Sequence, residues 1–193
     1  MKEKPQKKRF GLMLFLVIIM VGTSFSVIFY GFSSPSSKQK QYGYSFVNNG
    51  QAWIAKISGK QAMFSYLPEE AKKINVQGVL PDLKNRVEID TTSDFNDKFN
   101  QSIALAQHQM NIVLNQNYNV YIVPGFTSNN TYGLPVITCA GATPAVPVVF
   151  FMGSNETSLS ADGNCIIAKA SSDADIIKIK DLIVYSVLGV LDV

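Results

Sequence analysis

Residues 86–123, RVEIDTTSDFNDKFNQSIALAQHQMNIVLNQNYNVYIV, pass from strand to helix and back to strand. Arg86–Asp90 reads as a short strand. Ser93 or Asp94 then caps a helix reaching Gln116, in which Phe95, Phe99, Ile103, Ala106, Met110 and Val113 share one stripe at the helical period. Asn119–Val123 is the next strand, closed by Pro124-Gly125. A β-α-β unit of this kind needs a sheet for its helix to pack on.

Toward the C-terminus, Pro147–Met152 and Cys165–Lys169 are apolar enough to be central strands, and Asp162-Gly163-Asn164 suits a hairpin turn. Ser172 with Asp175 forms a capping box for a last helix, whose buried stripe is Ile176, Ile179, Ile183, Val187 and Val190. Toward the N-terminus, Asn48-Asn49-Gly50 separates Tyr44–Val47 from Gln51–Ile57, and Ser58-Gly59-Lys60 leads into Gln61–Tyr66. Apolar residues alternate along these segments, the period of half-buried antiparallel strands. Pro68-Glu69-Glu70 opens a short helical turn, with proline first and acids at the positive end of the dipole. The expected fold is α+β: an N-terminal transmembrane helix, then one mixed β-sheet domain with two main helices.

The membrane segment is Phe10–Phe32, which carries no charge and consists mostly of Leu, Ile, Val, Met and Phe. As a helix it would extend about 34 Å, enough for a hydrocarbon core of about 30 Å. Lys2, Lys4, Lys7, Lys8 and Arg9 precede it against the single acid Glu3, an excess that holds such a tail in the cytoplasm. Cleavage after Ser26, as in a signal peptide, is the rival reading; Val27–Phe32 argues against it by continuing the apolar run. The expected division is a basic cytoplasmic tail at 1–9, a signal anchor at 10–32, a Ser- and Pro-containing linker at 33–41, and an extracytoplasmic α/β domain at 42–193. The location that follows is the plasma membrane, single-pass, with the C-terminal domain outside. Of 17 Lys and Arg and 14 Asp and Glu, five cations and one acid belong to the tail, so the remainder is nearly neutral. That leaves no basic surface for nucleic acid. The expected partners are the lipid bilayer, through residues 10–32, and other membrane or cell-surface proteins.

Chemistry-bearing residues are few. Cys139 and Cys165 are the two cysteines, and outside the cytoplasm a disulfide between them is expected. Their spacing is not that of a redox-active pair. The single histidine, His108, falls on the polar side of the long helix, so neither a triad nor a histidine-based zinc site can be assembled around it. Asp90, Thr92 and Asp94 lie at a strand end and faintly resemble a metal-ion-dependent adhesion motif; helix capping explains the same residues. Asn100, Asn129 and Asn155 begin Asn-x-Ser/Thr sequons, and Asn129 and Asn155, in expected loops, are the better glycosylation candidates. No glycine-rich phosphate loop occurs, and no cofactor is implied.

Phe64–Glu70, Thr138-Cys139-Ala140 followed by Pro147-Val148-Val149, Asn155-Glu156-Thr157 with Gly163–Ile167, and the terminal Leu188-Gly189-Val190 resemble segments of a group of signal-anchored extracytoplasmic proteins of archaea. That resemblance implies an anchored domain with paired cysteines and carries no activity or ligand with it. The leading expectation is a non-enzymatic interaction, envelope or accessory domain. The alternatives are a small-ligand or divalent-metal module at Asp90, Thr92 and Asp94, and an enzyme of unknown class using loop residues such as Thr138, Thr143, Glu156 and Asp162.

Overall fold

The computed structural model describes residues 37–192; the tail at 1–9, the apolar segment 10–32 and Ser26 lie outside them. The fold is mixed α+β, but with two sheets rather than the single one expected. The first is an antiparallel meander of β1 (Lys38–Gln41), β2 (Tyr44–Asn48), β3 (Trp53–Ile57) and β4 (Lys60–Phe64). The second contains β5 (Asn75–Gln77), β6 (Glu88–Ser93), β7 (Tyr121–Phe126), β8 (Val148–Gly153), β9 (Ser158–Asp162) and β10 (Cys165–Ala170), in the order β5-β9-β10-β8-β6-β7. Strands β7, β6, β8 and β10 run parallel, and β9 and β5 run opposite to them. The helices are the short α1 (Pro68–Ala71) and the long α2 (Asn100–Tyr118) and α3 (Asp173–Val187). Among the described residues, no helix is long and apolar enough to cross a membrane.

The end of the expected linker, Lys38–Gln41, is β1. It turns through Tyr42 and Gly43, at φ 49° and 80°, onto β2. Ser58 and Gly59 repeat the device between β3 and β4, at φ 49° and 83°. Two-residue turns with positive φ at both positions match the twist of the strands they join, and glycine takes the second position without a Cβ penalty.

Helices α2 and α3 lie between the sheets. Phe46, Ala55, Ile57, Ala62 and Phe64 of the meander share one core with Ile103, Ala106 and Met110 of α2 and with Ile89, Val149, Phe151 and Ile166 of the second sheet. Tyr185 of α3 stacks on Phe64 at 4.1 Å between ring centroids and meets Phe46 edge-on at 6.1 Å. An element packed on two sides is apolar around most of its circumference, not along one stripe. Accordingly Leu182, Val184 and Tyr185 are as buried as the expected Ile176, Ile179 and Ile183.

The long helix begins at Asn100, later than Ser93 or Asp94 would start it. Ser93 is the last residue of β6. Asp94 accepts the N–H of Asn96 at 2.8 Å and Asp97 accepts that of Phe99 at 2.8 Å, so two Asx turns occupy the interval. Pro124-Gly125 likewise does not close β7, which runs on to Phe126. A proline without an N–H is tolerated there because β7 is an edge strand.

Candidate functional site

Of the expected metal set, Asp90 and Thr92 lie along β6 and Asp94 just beyond its end. Two of the three are occupied separately: the Thr92 hydroxyl donates to Ile137 O at 2.8 Å, while Asp94 holds its own turn. Asp90 Oδ1 is buried without a hydrogen-bond partner, and burial, followed by nearby Glu88, raises its carboxyl above the usual range. Among the described residues no three His, Cys, Asp or Glu side chains group as a metal site. Thr138, Thr143, Glu156 and Asp162 are also dispersed. Thr143 accepts the N–H of Val146 at 3.0 Å, Glu156 pairs loosely with Lys169 at 3.9 Å, and Asp162 ends β9 at the hairpin turn. His108 is exposed on α2, and Asn100, Asn129 and Asn155 are exposed.

Cys139 and Cys165 form a disulfide, with Cα atoms 5.1 Å apart. It fastens a short 3₁₀ turn (Cys139–Gly141) to the first residue of β10. Around it, Ile137, Val148 and Cys165 are buried with Val123, Ala142 and Phe150 packed against them, so the chain between β7 and β8 covers the sheet face turned away from the helices. The same segment carries an apolar surface that sequence reasoning missed. Phe126 meets Phe95 edge-on at 6.2 Å and Tyr132 at 5.9 Å. Tyr132 is 72% exposed, and Val136 and Leu134 are 50% and 38% exposed. Backbone bonds hold this loop: Phe126 N–H donates to Pro135 O at 3.0 Å, and Ile137 N–H to Phe126 O at 2.9 Å. Asn130 Oδ1 accepts the N–H of Tyr132 at 3.0 Å and its amide donates to Leu134 O at 2.9 Å. A Cβ on Gly125 would come within 2.6 Å of Pro135 O, so glycine permits the close return of the loop. The apolar side chains therefore stand outward from an ordered backbone.

The second unanticipated feature is an ion pair inside α3. Lys180 is 2% exposed and Asp181 0%, and the ammonium donates to Asp181 Oδ1. Asp181 Oδ2 accepts two further donors, the backbone N–H groups of Ser65 and Tyr66, each at 2.8 Å. Burial pushes the Asp181 carboxyl up, against the opposing pull of Lys180 and those N–H groups. Tyr185 closes the cluster by donating to Tyr66 O at 2.8 Å, and burial raises its phenol far above the ordinary value. Lys180 also walls a pocket of about 220 Å³ with Gln51, Met63, Phe64, Gln109, Ile112 and Val113. Gln109 Oε1 is buried without a partner. An unmet buried acceptor costs roughly 1–3 kcal/mol.

The sequence held a signal for the pair. Ile179-Lys180-Asp181-Leu182 places two charges inside an apolar run, where a solvated face would spread them at helical spacing. Nothing in the sequence told which loop would present Tyr132, Leu134 and Val136 together. Against known proteins, the chain matches no family model, no curated protein and no solved structure.

Proposed function

We propose that the chain is a membrane-anchored extracytoplasmic domain that works by contact with another protein, as a non-enzymatic interaction or accessory subunit at the cell surface. The observation that carries this reading is the apolar loop between β7 and β8. Tyr132, Leu134 and Val136 are turned to solvent on a backbone fixed by hydrogen bonds, and Tyr132 lies against Phe126, which meets Phe95 edge-on. Exposed apolar side chains carried on one ordered loop mark interaction sites, and tyrosine supplies large contact area at low entropic cost. Two features favour the compartment: the uncharged run Phe10–Phe32 behind a cationic tail, and the Cys139–Cys165 disulfide, which persists in oxidising surroundings.

The test is site-specific photocrosslinking in intact membranes. A crosslinker replacing Tyr132 in the full chain should give a discrete protein adduct, and one replacing the exposed His108 should not. Equal capture from both positions, or none from Tyr132, would remove the proposal.

A further inference from the structure

N-linked glycosylation joins the side-chain amide of Asn to a sugar, and the transferring enzyme also reads the hydroxyl two residues on. A folded sequon therefore serves only where both side chains stand free on a surface loop. Three sequons occur in the domain, and the fold separates them.

Asn100-Gln101-Ser102 opens α2, and the Ser102 hydroxyl donates to Asp173 Oδ1 at 2.6 Å. Asn155-Glu156-Thr157 leads into β9. The Thr157 hydroxyl is half-buried, donates to Asp175 Oδ2 at 2.8 Å and accepts the N–H of Ser171 at 3.1 Å. Both hydroxyls are thus committed to carboxylates in the first turn of α3.

Asn129-Asn130-Thr131 differs. It lies outside every described helix and strand, between β7 and the disulfide, and Asn129 and Thr131 are both exposed. The side-chain bonds that order this loop belong to the middle residue. Asn130 Oδ1 accepts the N–H groups of Tyr132 and Leu134 at 3.0 and 3.3 Å, and its amide donates to Leu134 O at 2.9 Å; among the described residues, none of the loop's bonds uses the Asn129 or Thr131 side chain.

The surroundings give a sugar there a purpose. From Phe99 to Asn155 the sequence holds no Asp, Glu, Lys or Arg. The outer layer between Thr127 and Val146 therefore presents Tyr132, Leu134, Pro135 and Val136 to solvent without a charge of its own. Charged side chains ordinarily hydrate a surface and keep it from self-association; here an oligosaccharide would do so.

We propose that Asn129 carries an N-linked oligosaccharide, which hydrates the charge-free outer layer. The co-substrate is a sugar held through its anomeric carbon on a lipid-linked phosphate. The bond from Asn129 Nδ2 to the anomeric carbon forms and the bond from that carbon to the phosphate oxygen breaks. The lipid phosphate leaves with that electron pair, and one amide proton passes to a base of the transferring enzyme. This inference rests on the extracytoplasmic placement proposed above, the side of the membrane on which such transfer occurs.

The test is non-reducing peptide mapping by mass spectrometry, on the full chain purified from the membranes of the cells that make it. The Asn129 peptide should carry a mass shift that fragments as sugar residues, and the Asn100 and Asn155 peptides should be unshifted. Thr131→Ala should lose the shift while keeping the Asn129 amide. Sedimentation in detergent micelles should then show the Thr131→Ala chain self-associating where the glycosylated chain is dispersed. A bare Asn129 with the Cys139–Cys165 disulfide intact would overturn the proposal alone; a bare Asn129 with two free thiols would take the extracytoplasmic placement with it. Sugar on Asn100 or Asn155 would overturn the selection by free hydroxyls, and a Thr131→Ala chain as dispersed as its parent would overturn the hydrating role.

Discussion

Lys180 and Asp181 are neighbours in the chain, both are buried, and the ammonium donates to the carboxylate. Removing one partner leaves a buried ion, and Asp181→Ala also frees the N–H groups of Ser65 and Tyr66. Such a change should destabilise the domain by about 3–5 kcal/mol. Replacing both by apolar residues, Lys180→Met with Asp181→Leu, should cost clearly less than the two single changes added together, because the desolvation penalty goes with the pair. Urea unfolding of the four proteins gives the coupling; strict additivity would show that the ions do not act as a unit. Asp90 has a different account. Its carboxyl is raised by burial with one oxygen unmet, so its protonated form favours folding. That contribution is fully present below about pH 4, the unfolded value, and is lost as pH rises through the higher folded value. Asp90→Asn should therefore raise Tm at pH 7 by about 1–3 °C, a modest figure because solvent screens a half-buried group. The difference should vanish near about pH 3 in paired thermal melts, where both forms are neutral.

At the scale of elements, α3 shows how far sequence reasoning carries. Ser172 is its N-cap, as expected: the hydroxyl accepts the N–H of Asp175 at 3.2 Å; the Asp175 carboxylate takes that hydroxyl at 2.8 Å and not the Ser172 N–H, so the reciprocal half of the expected capping box is not made. Burial works to raise Asp175, but hydroxyl donors from Ser172, Thr157 and Ser171, with Lys178 nearby, hold it below the ordinary carboxylate value. The sign is opposite to that of Asp90: this stability is present above about pH 4 and is lost as pH falls through the folded value. Ser172→Ala should cost about 1 kcal/mol in denaturant unfolding at pH 7, and the loss should shrink in acid as Asp175 protonates. The cap was legible because capping is local, needing two residues three apart. The hairpin turns at Asn48-Asn49-Gly50, Ser58-Gly59 and Asp162-Gly163-Asn164 were legible for the same reason. Strand β9 was not, since Ser158 and Ser160 alternate with Leu159 and Ala161 too weakly to show a face. Strand β1 was hidden by composition: Lys38–Gln41 looks like linker and becomes strand only because Tyr42-Gly43 folds it against β2.

At the scale of the whole molecule, nothing local told the chain's two sheets apart, because partition between sheets is decided by which strands share a helix layer. The paired cysteines were legible, while their consequence depended on the fold. The disulfide closes the 26-residue separation between Cys139 and Cys165 and fastens the outer covering of the second sheet to β10. In the chain-entropy model a closure of that length stabilises by about 3–4 kcal/mol. The main core, by contrast, joins both sheets through α2 and α3 and contains neither cysteine. Loss of the bridge should therefore loosen the outer layer first. Cys139→Ser with Cys165→Ser should lower stability by about 3 kcal/mol and make limited proteolysis begin between Thr127 and Val146, while native-state hydrogen exchange in α2 and α3 persists. Because Tyr132, Leu134 and Val136 lie in that segment, photocrosslinking through Tyr132 should fall with it. First cleavage within the meander, or exchange lost equally in every element, would mean that the bridge supports the core as a whole and that the outer layer is not a separable platform.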